Sequence, residues 1–147
     1  MNSQDLLQHP LILKYIHSNH FGRHLHMNFI IPEPGRLEYH LKIAEIHLAT
    51  PHAAHGGVLA ALADGAQGVC ALSLVCSENK VVSTLQLNIQ FMAGPALHDE
   101  ITAFAKVLKP GKNIVFTECS IIRNKDQKLL AFSTATFNAY PAEKAGY

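Results

Sequence analysis

The stretch from His55 to Cys76 decides most of what this chain can become. It opens with His55-Gly56-Gly57 and runs for about twenty residues through mostly apolar or small side chains, with Asp64 as its only formal charge. In a helix, residues three and four apart share a face, and on that reading the segment sorts by size. Val58, Leu62, Val69 and Leu72 form a bulky stripe suited to a hydrophobic core. Gly57, Ala61, Gly65 and Gly68 form a second stripe, about a quarter to a third of a turn away, along which another backbone could approach closely. Asp64 falls on this small stripe, and because an unpaired carboxylate is costly to bury, a ligand or partner chain meeting the helix there would explain it. The length also suits a membrane span, but Asp64, Gln67, four glycines and strand-rich flanks favour a helix buried in its own fold.

Gly56 and Gly57 start the helix, where the first N–H groups have no intrahelical partner and the macrodipole favours negative charge. Such a terminus can hold a carbonyl oxygen or an oxyanion. Eight residues from Gly56 to Asp64 span about 12 Å along a helix, whereas reacting groups converge to about 3 to 3.5 Å. If both groups serve one carbonyl, Gly56 of one subunit meets Asp64 of another, and a two-fold dimer with two composite sites is the simplest arrangement.

The remainder reads as a single domain over 1–147, since 147 residues at 48% hydrophobic content can bury a core without disulfides or metal, and no linker or repeat divides them. Leu6, Leu7, Leu11, Ile12, Tyr15 and Ile16 predict a short helical segment over 1–19, with Pro10 compatible with a helix start. Asp5 and the lack of a basic leader argue against a secretory signal. Strands are predicted over 24–31 and 36–43, separated by Pro32-Glu33-Pro34-Gly35, the second with Leu37, Tyr39, Leu41 and Ile43 on one face. Over 80–92, Val81, Ser83, Leu85, Leu87, Ile89 and Phe91 alternate with Val82, Thr84, Gln86, Asn88, Gln90 and Met92. Further strands are predicted over 99–109, 113–123 and 128–139, with Pro110-Gly111 and Asn124-Lys125-Asp126 as turns. Antiparallel strands in sequence around one long apolar helix make an α+β domain with a curved sheet wrapped on that helix.

His55-Gly56-Gly57, Asp64 nine positions after the histidine, and a strand ending Asn88-Ile89-Gln90-Phe91-Met92 with Pro95 shortly after together resemble the hotdog-fold acyl-CoA thioesterases of the phenylacetic acid degradation type, over roughly residues 20–140. The resemblance implies a hotdog fold and hydrolysis of an acyl-CoA thioester to a free acid and coenzyme A, at a site shared between subunits of a homodimer or a dimer of dimers. It gives Gly56 the thioester carbonyl, Asp64 the role of general base or nucleophile from the opposite subunit, and His55 a part in shaping the loop and helix start or in hydrogen-bonding near the thioester, and so counts all three with the catalytic residues. Thr84 would orient the attacking water, with Ser83 as the neighbouring candidate. Gly57, Ser83, His52, Gln67 and Gly68 are the expected substrate contacts. Relatives usually carry Asn or Gln six residues before the motif histidine and this chain has Ala49, while Gly68 stands where some carry Ser or Thr. The loss at Ala49 keeps open a non-catalytic acyl-CoA or aromatic-ligand binder. An acyl-thioester hydratase or dehydratase is a third reading, for which no convincing catalytic histidine can be placed.

Cys70, Cys76 and Cys119 form no Cys-x-x-Cys pair and are odd in number, which points to a reducing compartment such as the cytoplasm. Of the ten histidines, His17, His20, His24 and His26 are the closest set, but their spacing fits no zinc pattern, and no metal or separate cofactor is expected beyond the coenzyme A of the substrate. A formal net charge of +1 without a basic run leaves no footprint for nucleic acid. Lys80, Lys106, Lys109, Lys112 and Arg123 are candidate contacts for the coenzyme A phosphates.

Overall fold

The computed structural model describes residues 1–147. Three short helices lead the chain, α1 (Ser3–Leu7), α2 (Pro10–Ser18) and α3 (His20–His24), followed by strands β1 (Asn28–Glu33) and β2 (Arg36–Lys42). The long helix α4 (Gly56–Val75) comes next, then β3 (Lys80–Phe91), β4 (Glu100–Pro110), β5 (Ile114–Arg123) and β6 (Lys128–Pro141). The six strands form one sheet in the order β1-β2-β4-β5-β6-β3, and every neighbouring pair is antiparallel. Short turns keep β4, β5 and β6 adjacent, while β3, delivered by the helix, takes the far edge.

Helix α4 packs against strands across the sheet, which makes this the hotdog arrangement of one helix held in a curved antiparallel sheet. Val58, Leu62, Val69 and Leu72 are all buried, together with Leu37, Tyr39, Ile101, Ile121 and Leu130 from the strands. Gly56–Glu78 is long and apolar enough to cross a membrane, yet 67% of its most apolar window is buried inside the fold, so its apolarity is used against the sheet. The β1–β2 turn needs Gly35, whose φ of +78° is left-handed, and its N–H donates to the buried Ser73 hydroxyl on α4 at 2.9 Å.

Two local expectations give way. The N-terminal helical segment continues to His24 and β1 starts only at Asn28, because the Asn19 side chain accepts from the Gly22 N–H at 3.0 Å and caps another turn, after which His26 adopts a φ of +57°. The unbroken alternation over 80–92 is interrupted at Leu85. Thr84 pairs with Phe137 and Gln86 with Thr136, so Thr84 and Leu87 lie on the same face as the buried Phe137 and Ala135. This bulge turns the Thr84 hydroxyl towards α4 and keeps the half-buried Leu87 and Ile89 on the same face.

Candidate active site

The start of α4 is held in place by two histidines. His55 is the N-cap, its Nδ1 accepting from the Gly57 N–H at 2.8 Å and its carbonyl from the Val58 N–H at 2.9 Å. With those two amides engaged, the Gly56 N–H is the one at the helix start with no acceptor in the chain. A Cβ on Gly56 would sit 3.6 Å from the Phe91 ring, so β3 crosses close to this amide. Behind the loop, the buried His47 accepts from the Ala44 N–H at Nδ1 (2.9 Å) and contacts the Leu25 carbonyl through Nε2 (3.0 Å), which makes Nε2 the protonated nitrogen. Its own carbonyl accepts the His55 N–H at 2.7 Å. Burial pushes the His47 pKa below 6.5, and His26 adds to that lowering. Sequence reading missed this anchor; a histidine eight positions before the glycine motif was the only available signal.

Midway along α4, the carboxylate of Asp64 accepts a 2.8 Å hydrogen bond from the Thr84 hydroxyl at Oδ1, and its second oxygen has no partner within the chain. Both residues line a cavity of about 170 Å³. Gly65, Gly68, Val69 and Leu72 of the helix form one side, Val81, Val82 and Ser83 of β3 another, and Phe137, Tyr15 and Tyr147 complete it. Tyr15 is tied to the fold by Asn19, whose Nδ2 donates to the Tyr15 hydroxyl at 3.0 Å and to the Tyr39 hydroxyl at 3.2 Å. Burial first, then the neighbouring Tyr39 and the charge of Asp64, push the Tyr15 pKa upwards, so the phenol stays neutral beside the carboxylate.

The structure therefore groups Asp64, Thr84, Ser83 and Gly68 around one cavity and His55, Gly56 and Gly57 around another point, the helix start. His52 lies on the exposed loop before the helix, its N–H 3.4 Å from the Thr50 hydroxyl, and lines no part of the Asp64 cavity. Two expectations are corrected. Gln67 is not a substrate contact: it is fully buried, donating to the Ala63 carbonyl (3.1 Å) and the Ser133 hydroxyl (2.8 Å) and accepting from the Thr117 hydroxyl (2.9 Å). The small stripe does not face another backbone within this chain, because aromatic rings occupy the space; a Cβ on Gly65 would come within 2.8 Å of Tyr39, and one on Gly68 within 3.5 Å of Phe137.

At position 49 the alanine is exposed and contributes only its backbone N–H, to the Ala53 carbonyl at 3.0 Å, while the Thr50 hydroxyl is engaged by the Ala53 N–H at 3.0 Å. All three cysteines are free and buried, and burial pushes the Cys70 and Cys119 thiols up to about 12, far from nucleophilic thiolates. His20 contacts Arg23 at 2.6 Å. Lys80, Lys106 and Arg123 pair with Glu78, Glu118 and Asp126 at 2.6, 2.9 and 2.6 Å, which leaves Lys109 and Lys112 without an acidic partner.

Residues 52–130, which carry the helix start, Asp64 and Thr84, match the family model of the Thioesterase superfamily. The chain belongs to that superfamily. Acyl-coenzyme A thioesterase 13 from Homo sapiens and from Pongo abelii are each 30% identical to it over 99 residues, covering 67% of this chain and 69% of theirs. Among solved structures, the PaaI protein of the E. coli phenylacetic acid degradation operon superposes with a TM-score of 0.84 at 20% identity, covering 95% of this chain and 96% of that one. The zebra fish thioesterase superfamily member 2 gives 0.79 at 22% identity, with 94% and 98% covered.

Proposed function

We propose that this protein is an acyl-CoA thioesterase whose site is shared by two copies of the chain. The observation that carries the reading is the pairing of one free amide with one half-free carboxylate on a single helix, Gly56 at its start and Asp64 eight residues on, about 12 Å apart. Two helices related by a two-fold axis bring the amide of one to the acid of the other. Edge strand β3 supports that assembly, since its free edge carries Leu85 at 60% exposure, Phe91 at 53% and, just beyond, Met92 at 53%. Identified relatives that are acyl-CoA thioesterases supply the substrate class.

In this mechanism the thioester carbonyl oxygen accepts from the Gly56 N–H of one subunit, which stabilises the negative charge that develops on it. Asp64 of the other subunit either takes the proton of the attacking water or attacks the carbonyl itself to form an anhydride that water opens. The Thr84 hydroxyl holds one carboxylate oxygen and leaves the other to face the substrate. Collapse of the tetrahedral intermediate breaks the C–S bond, and the coenzyme A thiolate leaves and takes up a proton, with the carboxylic acid as the other product. A single turnover in ¹⁸O water separates the routes, because label entering Asp64 itself requires the anhydride.

Complementation tests the sharing. Gly56→Pro deletes the N–H at a position where helices accept proline, and the preceding His55, at φ −64° and ψ 136°, already has the backbone a residue before proline needs. Asp64→Ala and Gly56→Pro proteins, each inactive in thiol release from a panel of acyl-CoAs, should on mixing and reassociation recover about a quarter of wild-type activity, since half the dimers are mixed and each has one intact site. No recovery removes the shared mechanism.

A second reading, an acyl-CoA binder without turnover, draws on Ala49, whose side chain has no hydrogen-bonding atom, and on Thr50, whose hydroxyl is committed to its own turn. Calorimetric binding of an intact thioester with no thiol release decides for it. Hydration chemistry has less support, as His55, the histidine at the helix start, has its Nδ1 engaged by the Gly57 N–H. Three free, buried thiols suit a reducing compartment such as the cytoplasm.

A further inference from the structure

The cavity beside Asp64 has walls of unequal firmness. Val69 and Leu72 belong to the buried face of α4, Val81 to the start of β3 and Phe137 to the middle of β6, and all four are core residues. Tyr15 is braced by the Asn19 and Tyr39 side chains. Tyr147 is different. It stands at the end of a short tail that leaves the core at the buried Ala142, where the Ala142 N–H donates to the Asn79 carbonyl at 3.0 Å. Beyond that point the tail is held across the chain by one residue: the Lys14 ammonium donates to the Gly146 carbonyl at 3.0 Å and lies 4.6 Å from the centroid of the Tyr147 ring. Tyr147 lines the cavity and is itself 39% exposed.

We propose that Tyr147, clamped by Lys14, is the wall that sets the size of acyl group this site accepts. An enclosed cavity of about 150 Å³ takes one benzene-sized molecule, and the space of about 170 Å³ that this chain contributes is of similar size, with Tyr147 standing where a longer acyl chain would continue. Every other wall that this chain contributes is built into the helix, the sheet or the Tyr15 brace, and removing the Tyr147 ring would widen the cavity without disturbing the core. Lys14 thereby links α2 to the acyl pocket, although it touches neither Asp64 nor the cavity. The inference rests on the reading of Asp64 as the hydrolytic acid.

The test compares wild type, Tyr147→Ala, Tyr147→Phe and Lys14→Met in two assays. The first is kcat/KM for butyryl-, hexanoyl- and decanoyl-CoA, and the second is the Kd of the corresponding non-hydrolysable thioether analogues. In Tyr147→Ala the decanoyl-to-butyryl ratio should rise about tenfold or more in both assays, in line with the discrimination one apolar pocket can exert. Tyr147→Phe keeps the ring and should leave the ratio near wild type, and Lys14→Met should shift it in the same direction as the alanine variant but less. A ratio that stays the same in Tyr147→Ala, with an unchanged melting temperature, overturns the proposal while leaving Asp64 hydrolysis standing. Thioether binding that shifts with chain length in a protein that releases no thiol keeps the pocket wall and removes the hydrolytic reading instead.

Discussion

Asp64 and Gln67 stand one turn apart on the same helix, both polar in an otherwise apolar run, and the fold treats them in opposite ways. Gln67 faces the sheet with no exposure, and its amide is closed by Ala63, Ser133 and Thr117. Asp64 faces a cavity, accepts one hydrogen bond from Thr84 and keeps an oxygen unpartnered. A closed polar group in a core contributes specificity and stability and has nothing left to offer a substrate. A carboxylate that lines a cavity with one oxygen unpartnered has capacity to act on what enters there. The comparison separates two roles that helix α4 carries at once, structural on its sheet side and chemical on its cavity side.

The largest effect should come from the open residue. Asp64→Asn keeps the shape and the acceptor for Thr84 but removes the charge, and kcat for thioester hydrolysis should fall by about 10² to 10⁴, the range assigned to a general base. Its stability should stay within about 0.5 kcal/mol of wild type by urea denaturation. Near-normal turnover in the asparagine protein would put the chemistry elsewhere. Gln67→Ala should show the reverse. It takes the Ser133 hydroxyl's partner away, leaves the Thr117 hydroxyl only its longer bond to the Ala135 carbonyl at 3.3 Å and opens a void, so stability should drop by about 2–4 kcal/mol, while the folded protein keeps its specific activity. Lost activity at undiminished stability would return Gln67 to the site, where the sequence had placed it.

Between these stands Thr84, which touches the open carboxylate. Thr84→Val preserves the β-branched shape and deletes the hydroxyl, and kcat should fall about tenfold, or about 1.4 kcal/mol of barrier. Thr84→Ser should retain activity to within about threefold. Equal rates for valine and threonine would mean that the carboxylate needs no orienting donor.

The sequence shows part of this division and hides the rest. Strands β3 to β6 start and stop within two residues of where alternation and turn residues put them, because both signals are local. The Asp64–Thr84 pairing was legible only through the resemblance, since the bulge at Leu85 that turns Thr84 inwards sits within an unbroken alternation. Gln67 was misassigned for a geometric reason. Three residues on is only about 60° around a helix, and the boundary between the sheet-facing and cavity-facing sides falls inside that angle. The glycines at positions 65 and 68 announced a close approach, but not that Tyr39 and Phe137 would make it. Tyr15 and Tyr147, at opposite ends of the chain, meet at the cavity only because the topology returns the tail to α2.

His47 extends the comparison without any substitution, since acid can open a closed polar group directly. Like Gln67 it is buried with both side-chain nitrogens engaged, and its carbonyl holds the His55 N–H that precedes Gly56. Burial keeps its folded-state pKa below 6.5, the value it regains when unfolded. Above that pH the ring is neutral in both states and its full contribution to stability is present. As pH falls below 6.5 the unfolded chain takes up a proton that the folded His47 refuses, so stability declines until the folded pKa is passed and then levels. Urea midpoints measured from pH 7.5 down to 5 should therefore fall more steeply for wild type than for His47→Gln, which starts less stable but lacks this proton. Parallel slopes would mean that the other histidines carry the pH dependence and that His47 is no more closed than they are. A steeper wild-type slope would show that the scaffold beneath the Gly56 amide is set by a polar group with no role in the chemistry, as Gln67 sets the sheet side beneath Asp64.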